Sequence, residues 1–447
     1  VIGGFSDAAK IPELRKRVMF TLGMLVVQRL GVFVPVPGID AEQLRRLFER
    51  ASGTLFGIAN MFSGGALQNF SIFALGIMPY ISMSIIIQLM TTSVPHLENL
   101  SKEGDSGRRK ITRYTRIGTI VLALVQSSFI SMGLESQGVV AQPGWAFRIT
   151  TMMTLTAGTA FIMWIGEQIT ERGIGNGISL IIFAGIVAGM PSTLIGTFSL
   201  TRTGEITPFD MLGILVFALG TVGLIVFIEK SQRRIPVQYP KRTIGRRMVQ
   251  ATTQHLPLKL NTAGVIPPIF ASSFLIVPAT IAQFSDSDAA RSVASFLAPA
   301  TWGYEILFAL LIIFFCYFYT ALVFDPSQIA ENLKKNGGFI PTVRPGRDTA
   351  DFLTRILSRL TLWGAIYICA ICIFPTLFYT HMGAGQFIAF FGGTAVLIVV
   401  GVTLDTMGQI ESHIVQRNYE GFMNKSAGKV RGGAGRGMAS RGRLIQR

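Results

Sequence analysis

Ten apolar stretches of 17–22 residues recur along the chain, at 18–35, 70–90, 117–134, 149–165, 177–195, 211–228, 263–284, 306–324, 360–380 and 387–404. A hydrocarbon layer about 30 Å thick is crossed by roughly 20 residues of helix, so each stretch is long enough to span it. Membrane barrels are built from short alternating strands, which these continuous runs exclude. Helices remain, because they satisfy their own backbone in lipid. Only 14% of the 447 residues are charged, against about 25% in a soluble domain, so a soluble enzyme is excluded. The first stretch follows Lys10, Arg15, Lys16 and Arg17 but runs into VPVPGID rather than a small-residue cleavage site. It is expected to be retained.

Charge placement predicts orientation. Connections on one side, both chain ends included, carry 33 Lys and Arg; those on the other carry six, with Arg29 left inside the first stretch. The positive-inside rule then places both ends in the cytoplasm and requires an even number of spans. Ten agrees with both. Arg29 lies about 9 Å from the outer end of its span at 1.5 Å per residue, which lets it snorkel.

Cys316, Cys369 and Cys372 all lie in apolar runs and read as buried small hydrophobes rather than a redox or metal set. No span carries a carboxylate cluster or histidine relay at its centre, and no catalytic constellation appears. Neither a cofactor nor an enzymatic activity is expected.

The second and seventh spans share a pattern. Gly76-Ile77-Met78-Pro79-Tyr80-Ile81-Ser82-Met83-Ser84 and Gly264-Val265-Ile266-Pro267-Pro268-Ile269-Phe270-Ala271-Ser272 both fit GxxPxIxxS. Each is the second span of a block of five, and two odd-numbered blocks cross with opposite polarity, which makes an inverted repeat with a working interface at its broken helices. Gly and Pro are also common in membrane helices without such meaning.

Four features bear on mechanism. Ile77 and Ile81, like Ile178 and Ile182, are four residues apart and share a helix face; with Ile269 and Ile398 they suit either a hydrophobic constriction or ordinary helix packing. Residues 53–66, GTLFGIANMFSGGA, are too short to span and too apolar for a solvated loop. They are expected to fold back between the spans, as a moving element or as filling, with glycines as the hinge. The connection 229–261 sets eight basic residues against Glu229 alone, which suits phosphate or an acidic protein face as well as plain orientation. The tail from Lys425 carries RGG, GRG and RGR segments, open to anionic lipid or to nonspecific RNA contact.

Longer motifs carry a resemblance. FVPVPGID (33–40), MFSGGAL (61–67), SIFALGIMPYIS (71–82), EGDSGRRKI (103–111), GEQITERGIGNGIS (166–179), HLPLKLNTAGVIP (255–267) and RPG (344–346) resemble the SecY family, the central channel subunits of the bacterial protein translocase, along essentially the whole chain. The resemblance implies an all-α clamshell of two inverted five-helix halves around an hourglass pore. It implies a pore ring of Ile77, Ile81, Ile178, Ile182, Ile269 and Ile398. It puts a plug at 54–65, with Thr54, Leu55, Phe56, Ile58, Asn60, Met61, Phe62, Ser63, Gly64 and Gly65. The lateral gate would lie where the second and third spans face the seventh and eighth, with Ser82, Gln88, Gln126 and Asn261 at its polar positions. Arg246, Arg247 and Arg344 would engage the SecA ATPase or the ribosome, with SecE and SecG as companion subunits. Signal-sequence-bearing polypeptides would open the gate toward membrane lipid, and the protein would reside in the bacterial plasma membrane with both termini cytoplasmic. The tail matches no motif of the family.

The expected layout is a terminus at 1–17, a first half at 18–195, an outer connection and sixth span at 196–228, and a basic loop at 229–262. Spans seven and eight follow at 263–324, a second loop at 325–359, spans nine and ten at 360–404 and the tail at 405–447. An inverted-repeat transporter for a small solute is the main alternative, and a ribosome receptor without a pore is the other.

Overall fold

Proline and glycine decide where the helices of this chain begin, and the two halves use them alike. The structure, a computed structural model, describes residues 11–40, 42–44, 46, 55–204, 207–239, 242–244, 247–249, 253–283, 295–298, 301–381 and 393–415. Its helices are α1 (Pro12–Gly31), α2 (Leu55–Phe62), α3 (Met78–Ser93), α4 (Pro95–Lys102), α5 (Asp105–Ser136), α6 (Trp145–Arg172), α7 (Gly177–Thr203), α8 (Pro208–Lys230), α9 (Ile266–Gln283), α10 (Trp302–Val323), α11 (Pro326–Lys335), α12 (Arg347–His381) and α13 (Gly393–Val415). All but α2, α4 and α11 stand where the apolar stretches fall. Seven of them, α5 to α8, α10, α12 and α13, are long and apolar enough to cross a membrane by length and composition. Phe209, Phe227 and Trp302 project outward from these helices, as side chains that meet lipid do.

The second and seventh spans are not continuous helices. Residues 72–77 form turns, and α3 starts only at Met78. Gly76 and Gly264 both adopt left-handed backbone, with φ of +57° and +65°, which glycine tolerates without a Cβ clash. In each half the helix begins two residues after that glycine, with Pro79 or Pro267 in the first turn, where a missing N–H breaks no helical bond. The repeat seen in the sequence is thus a repeat of backbone conformation.

In the first half, α5 packs on α3 and α6, and α6 on α1 and α7; in the second, α10 lies between α9 and α12. The halves meet where α9 touches α3 and α5. Elsewhere the turn after α6 bridges them: the Gly175 N–H donates to Gln409 Oε1 on α13 at 2.9 Å, and the Ile174 N–H to Thr21 Oγ1 on α1 at 3.1 Å.

One close approach sets the first half. A Cβ on Gly158 of α6 would run into the backbone carbonyl of Ile72, in the turns before α3. Gly158→Ala is therefore expected to cost about 1–3 kcal/mol as overpacking, read as a lowered unfolding temperature in detergent. An unchanged temperature would mean that the turn moves freely.

The first basic loop holds strands that its charge concealed. Strands β1 (Gln232–Gln238) and β4 (Thr253–Lys259) pair antiparallel, and β2 (Arg242–Ile244) pairs with β3 (Arg247–Val249) beyond them. Along β1, Ile235 and Val237 are buried while Arg233, Arg234 and Pro236 are exposed, the period of two of a half-buried strand. Gln238 exchanges backbone hydrogen bonds with Phe339 at 2.9 and 3.0 Å. Ile235, Val237 and Leu258 share a core with Ile340, Leu353 and Ile356, so the connections at 229–261 and 325–359 pack together.

Candidate functional site

At the centre of the molecule one apolar cluster gathers residues from both halves. Ile77, just before α3, Ile81 on α3, Ile182 on α7, Ile269 on α9 and Ile398 on α13 are buried in it, together with Met61 and Phe62 of α2. These branched side chains offer no hydrogen-bonding group to water or an ion. Asn176 positions the start of α7: its Oδ1 accepts the N–H groups of Ile178 and Ser179 at 3.1 and 3.4 Å, a side-chain cap on the helix.

Ile178, the second residue of α7, is partly buried and packs against the same cluster; a Cβ added to Gly166 of α6 would lie 3.4 Å from its Cγ1. Ile186, two turns further along α7, is fully buried in the cluster.

The expected plug is helix α2 and the turn after it. Thr54 lies outside the described residues, and Leu55, Phe56 and Ile58 lie on α2. This helix packs against α7 and α9, one from each half. Its end folds back tightly. Asn60 Oδ1 accepts the Gln68 N–H at 2.9 Å, the Asn60 carbonyl accepts the Gly65 N–H at 2.9 Å and Ser63 Oγ at 2.9 Å, and Ser63 Oγ accepts the Leu67 N–H at 3.3 Å. Gly64 and Gly65 have φ of +69° and +85°, the left-handed ending that closes many helices. Gly64 presses on Gly185 of α7, and a Cβ on it would sit 2.8 Å from Gly185 Cα. Arg29 Nη1 donates to the Gly64 carbonyl, and its guanidinium carbon lies 5.4 Å from the centre of the Phe33 ring. The guanidinium of Arg29, partly exposed, is thus bonded to the α2 turn.

The polar residues expected at the gate separate into two groups. Ser82 and Gln88 lie on α3, and their Oγ and Oε1 atoms are buried with no hydrogen-bond partner among the described residues. Gln126 is half-buried on α5. Across from α3, Ser273 Oγ of α9 reaches Met78 Sδ at 3.5 Å. Asn261 points elsewhere. Its Nδ2 donates to Glu229 Oε1 at 2.7 Å and to the Gly264 carbonyl at 3.1 Å, while its Oδ1 accepts the Gly264 N–H at 3.0 Å. These bonds lie within the second half and shape the turn that starts α9.

Of the basic residues, Arg246 lies outside the described residues, Arg247 is on β3 and Arg344 is exposed, its carbonyl accepting Thr349 Oγ1 at 2.8 Å. No group of three or more metal-binding side chains occurs among the described residues.

The sequence profile of the SecY family matches residues 71–407. Protein translocase subunit SecY of Pseudomonas aeruginosa is 50% identical over 420 residues, covering 93% of this chain and 94% of that protein. The protein of the same name from Escherichia coli is 50% identical over 422 residues, covering 93% and 95%, and that from Streptomyces lividans 47% over 441 residues, covering 95% and 100%. Among solved structures, a protein-conducting channel superimposes with a TM-score of 0.65 at 16% identity, covering 89% of this chain and 91% of that one. Sec61 in the canine ribosome–channel complex from the endoplasmic reticulum superimposes with a TM-score of 0.61, at the same identity and coverage. At that identity the structures show a shared fold.

Proposed function

This chain belongs to the SecY family, and from that premise we infer that it is a protein-conducting channel subunit, not an enzyme, which passes unfolded secretory polypeptides across a membrane and releases apolar segments sideways into lipid. The observation that carries this reading is the central cluster, where isoleucines of α3, α7, α9 and α13 close on Met61 and Phe62 of the short helix α2. A channel for extended chains needs a throat that seals against ions yet grips nothing. We place that throat at Ile77, Ile81, Ile178, Ile182, Ile269 and Ile398. The segment from Thr54 to Gly65 is the plug beneath it. The contact of α3 and α5 with α9 is the lateral gate, with Ser82, Gln88 and Gln126 on its first-half side.

The gate is sealed mainly by apolar surface. A signal sequence brings an apolar core of about 7–15 residues, which replaces the α3–α9 contact with a contact of its own kind. The work of transport comes from a partner. The joined loops, which carry Arg247 and Arg344, are the proposed docking site for the SecA ATPase or for the ribosome, whose phosphate-rich surface suits basic residues. SecE and SecG are the companions proposed within the membrane, which is taken as the bacterial plasma membrane with both termini cytoplasmic.

A solute transporter would need a charged site at mid-membrane, and a ribosome receptor would need no throat. A photoreactive residue at Ile81 is expected to capture a stalled secretory chain. Failure to capture any chain, in protein that still binds its motor, would leave the receptor reading standing instead.

A further inference from the structure

Resting on the reading above, we propose that Arg29 is the positioning residue that latches the plug shut, through the carbonyl of Gly64. Three observations converge on that carbonyl. Arg29 is the one Lys or Arg within the ten apolar stretches, and among the described residues no carboxylate pairs with it. A partly buried cation in an apolar stretch gains from a partner, and the structure supplies one in the Gly64 backbone oxygen. That oxygen stands just past the end of α2, where unpaired carbonyls and the negative end of the helix dipole favour a cation. Gly64 is meanwhile fixed from behind by Gly185 of α7. The plug's last turn is therefore clamped between α1 and α7, both in the first half, while its helix also rests on α9 of the second half.

This arrangement gives the latch a direction. When α9 moves away from α3, α2 loses its contact with the second half but keeps its bond to Arg29. The plug then leaves only when the guanidinium gives up the Gly64 carbonyl. A hydrogen bond to a charged group is among the stronger single contacts a protein makes. Its loss is expected to raise the population of the displaced plug by about 10- to 100-fold.

The test uses the full chain in liposomes, with no secretory substrate present, so it stands apart from the capture experiment at Ile81. Met61 is buried in the throat, and a Met61→Cys variant reports plug displacement by its rate of reaction with a water-soluble maleimide. Arg29→Met keeps length and bulk but donates nothing. It is expected to speed labelling of Met61→Cys by about tenfold or more, and Arg29→Lys to restore slow labelling in part. Native Cys316 and Cys372, both buried, should react no faster in any variant that remains folded. Equal labelling rates in Arg29 and Arg29→Met proteins would overturn the proposal, as would rescue of Arg29→Met only by larger apolar residues. Should Arg29→Met fail to insert, Arg29→Gln is read by the same two outcomes.

Discussion

Serine in place of both Ile81 and Ile269 is expected to raise the ion conductance of the resting protein in planar bilayers by about tenfold or more. The two side chains come from different halves, lie on α3 and α9, and are buried in the same cluster as the plug residues Met61 and Phe62. Each contributes branched apolar bulk that water does not wet, and each serine would replace it with a smaller group that donates and accepts hydrogen bonds. The barrier to an ion is the cost of leaving water over the length of the dry constriction, so shortening or wetting it acts on conductance exponentially. Ile195→Ser, on the exposed face of α7, is the control. That side chain lies outside the cluster, and its loss is expected to leave conductance near the resting value. A double variant as tight as the parent, with the same unfolding temperature, would remove these residues from the throat. A leaky Ile195→Ser would mean that the leak does not report the cluster.

That contrast shows what could be read before the structure and what could not. The positions of the long helices follow from runs of apolar residues, because only long runs satisfy lipid. The internal repeat was equally legible, since Gly76 and Gly264 occupy a backbone region that excludes most other residues. The start of α3 was misread because apolar residues continue through 70–77, and hydrophobicity does not distinguish a buried turn from a helix. Pro79 was the available signal. The β1–β4 ribbon was hidden by arginines, although the alternation of Ile235 and Val237 with exposed neighbours was present. Depth and direction were not legible at all. Ile178, Ile182 and Ile186 are chemically identical, and only the geometry of α6, α7 and the plug tells them apart. Arg29 posed the same problem: a cation near a helix end can turn outward to water or inward to a carbonyl, and the choice depends on Gly64, 35 residues away. The hydrogen bonds of Asn261, made to Glu229 and Gly264 within its own half, were likewise not legible.

Joining α3 to α9 is expected to stop transport almost completely. Among the described residues, one side-chain hydrogen bond crosses between these helices, from Ser273 Oγ to Met78 Sδ at 3.5 Å, and a thioether is a weak acceptor. The remaining contact is apolar surface, which can be exchanged for the apolar core of an incoming segment without stranding polar groups. Such a seam opens because its replacement partner is chemically similar, and a covalent bridge removes that option while leaving the closed state undisturbed. Met78→Cys with Ser273→Cys, bridged by a short bis-thiosulfonate reagent, should therefore lose secretory-chain transport into proteoliposomes by more than about tenfold, and cleavage of the linker by reductant should return it. Either single variant treated with the same reagent should transport as before. Ion conductance should stay low throughout, since the bridge holds the throat in its resting form. Transport that continues at the parent rate in fully bridged protein would mean that chains pass without parting α3 from α9. The opening would then have to lie along another contact between the halves, such as the bond from Gly175 to Gln409 at the opposite end of α7 from its outer connection.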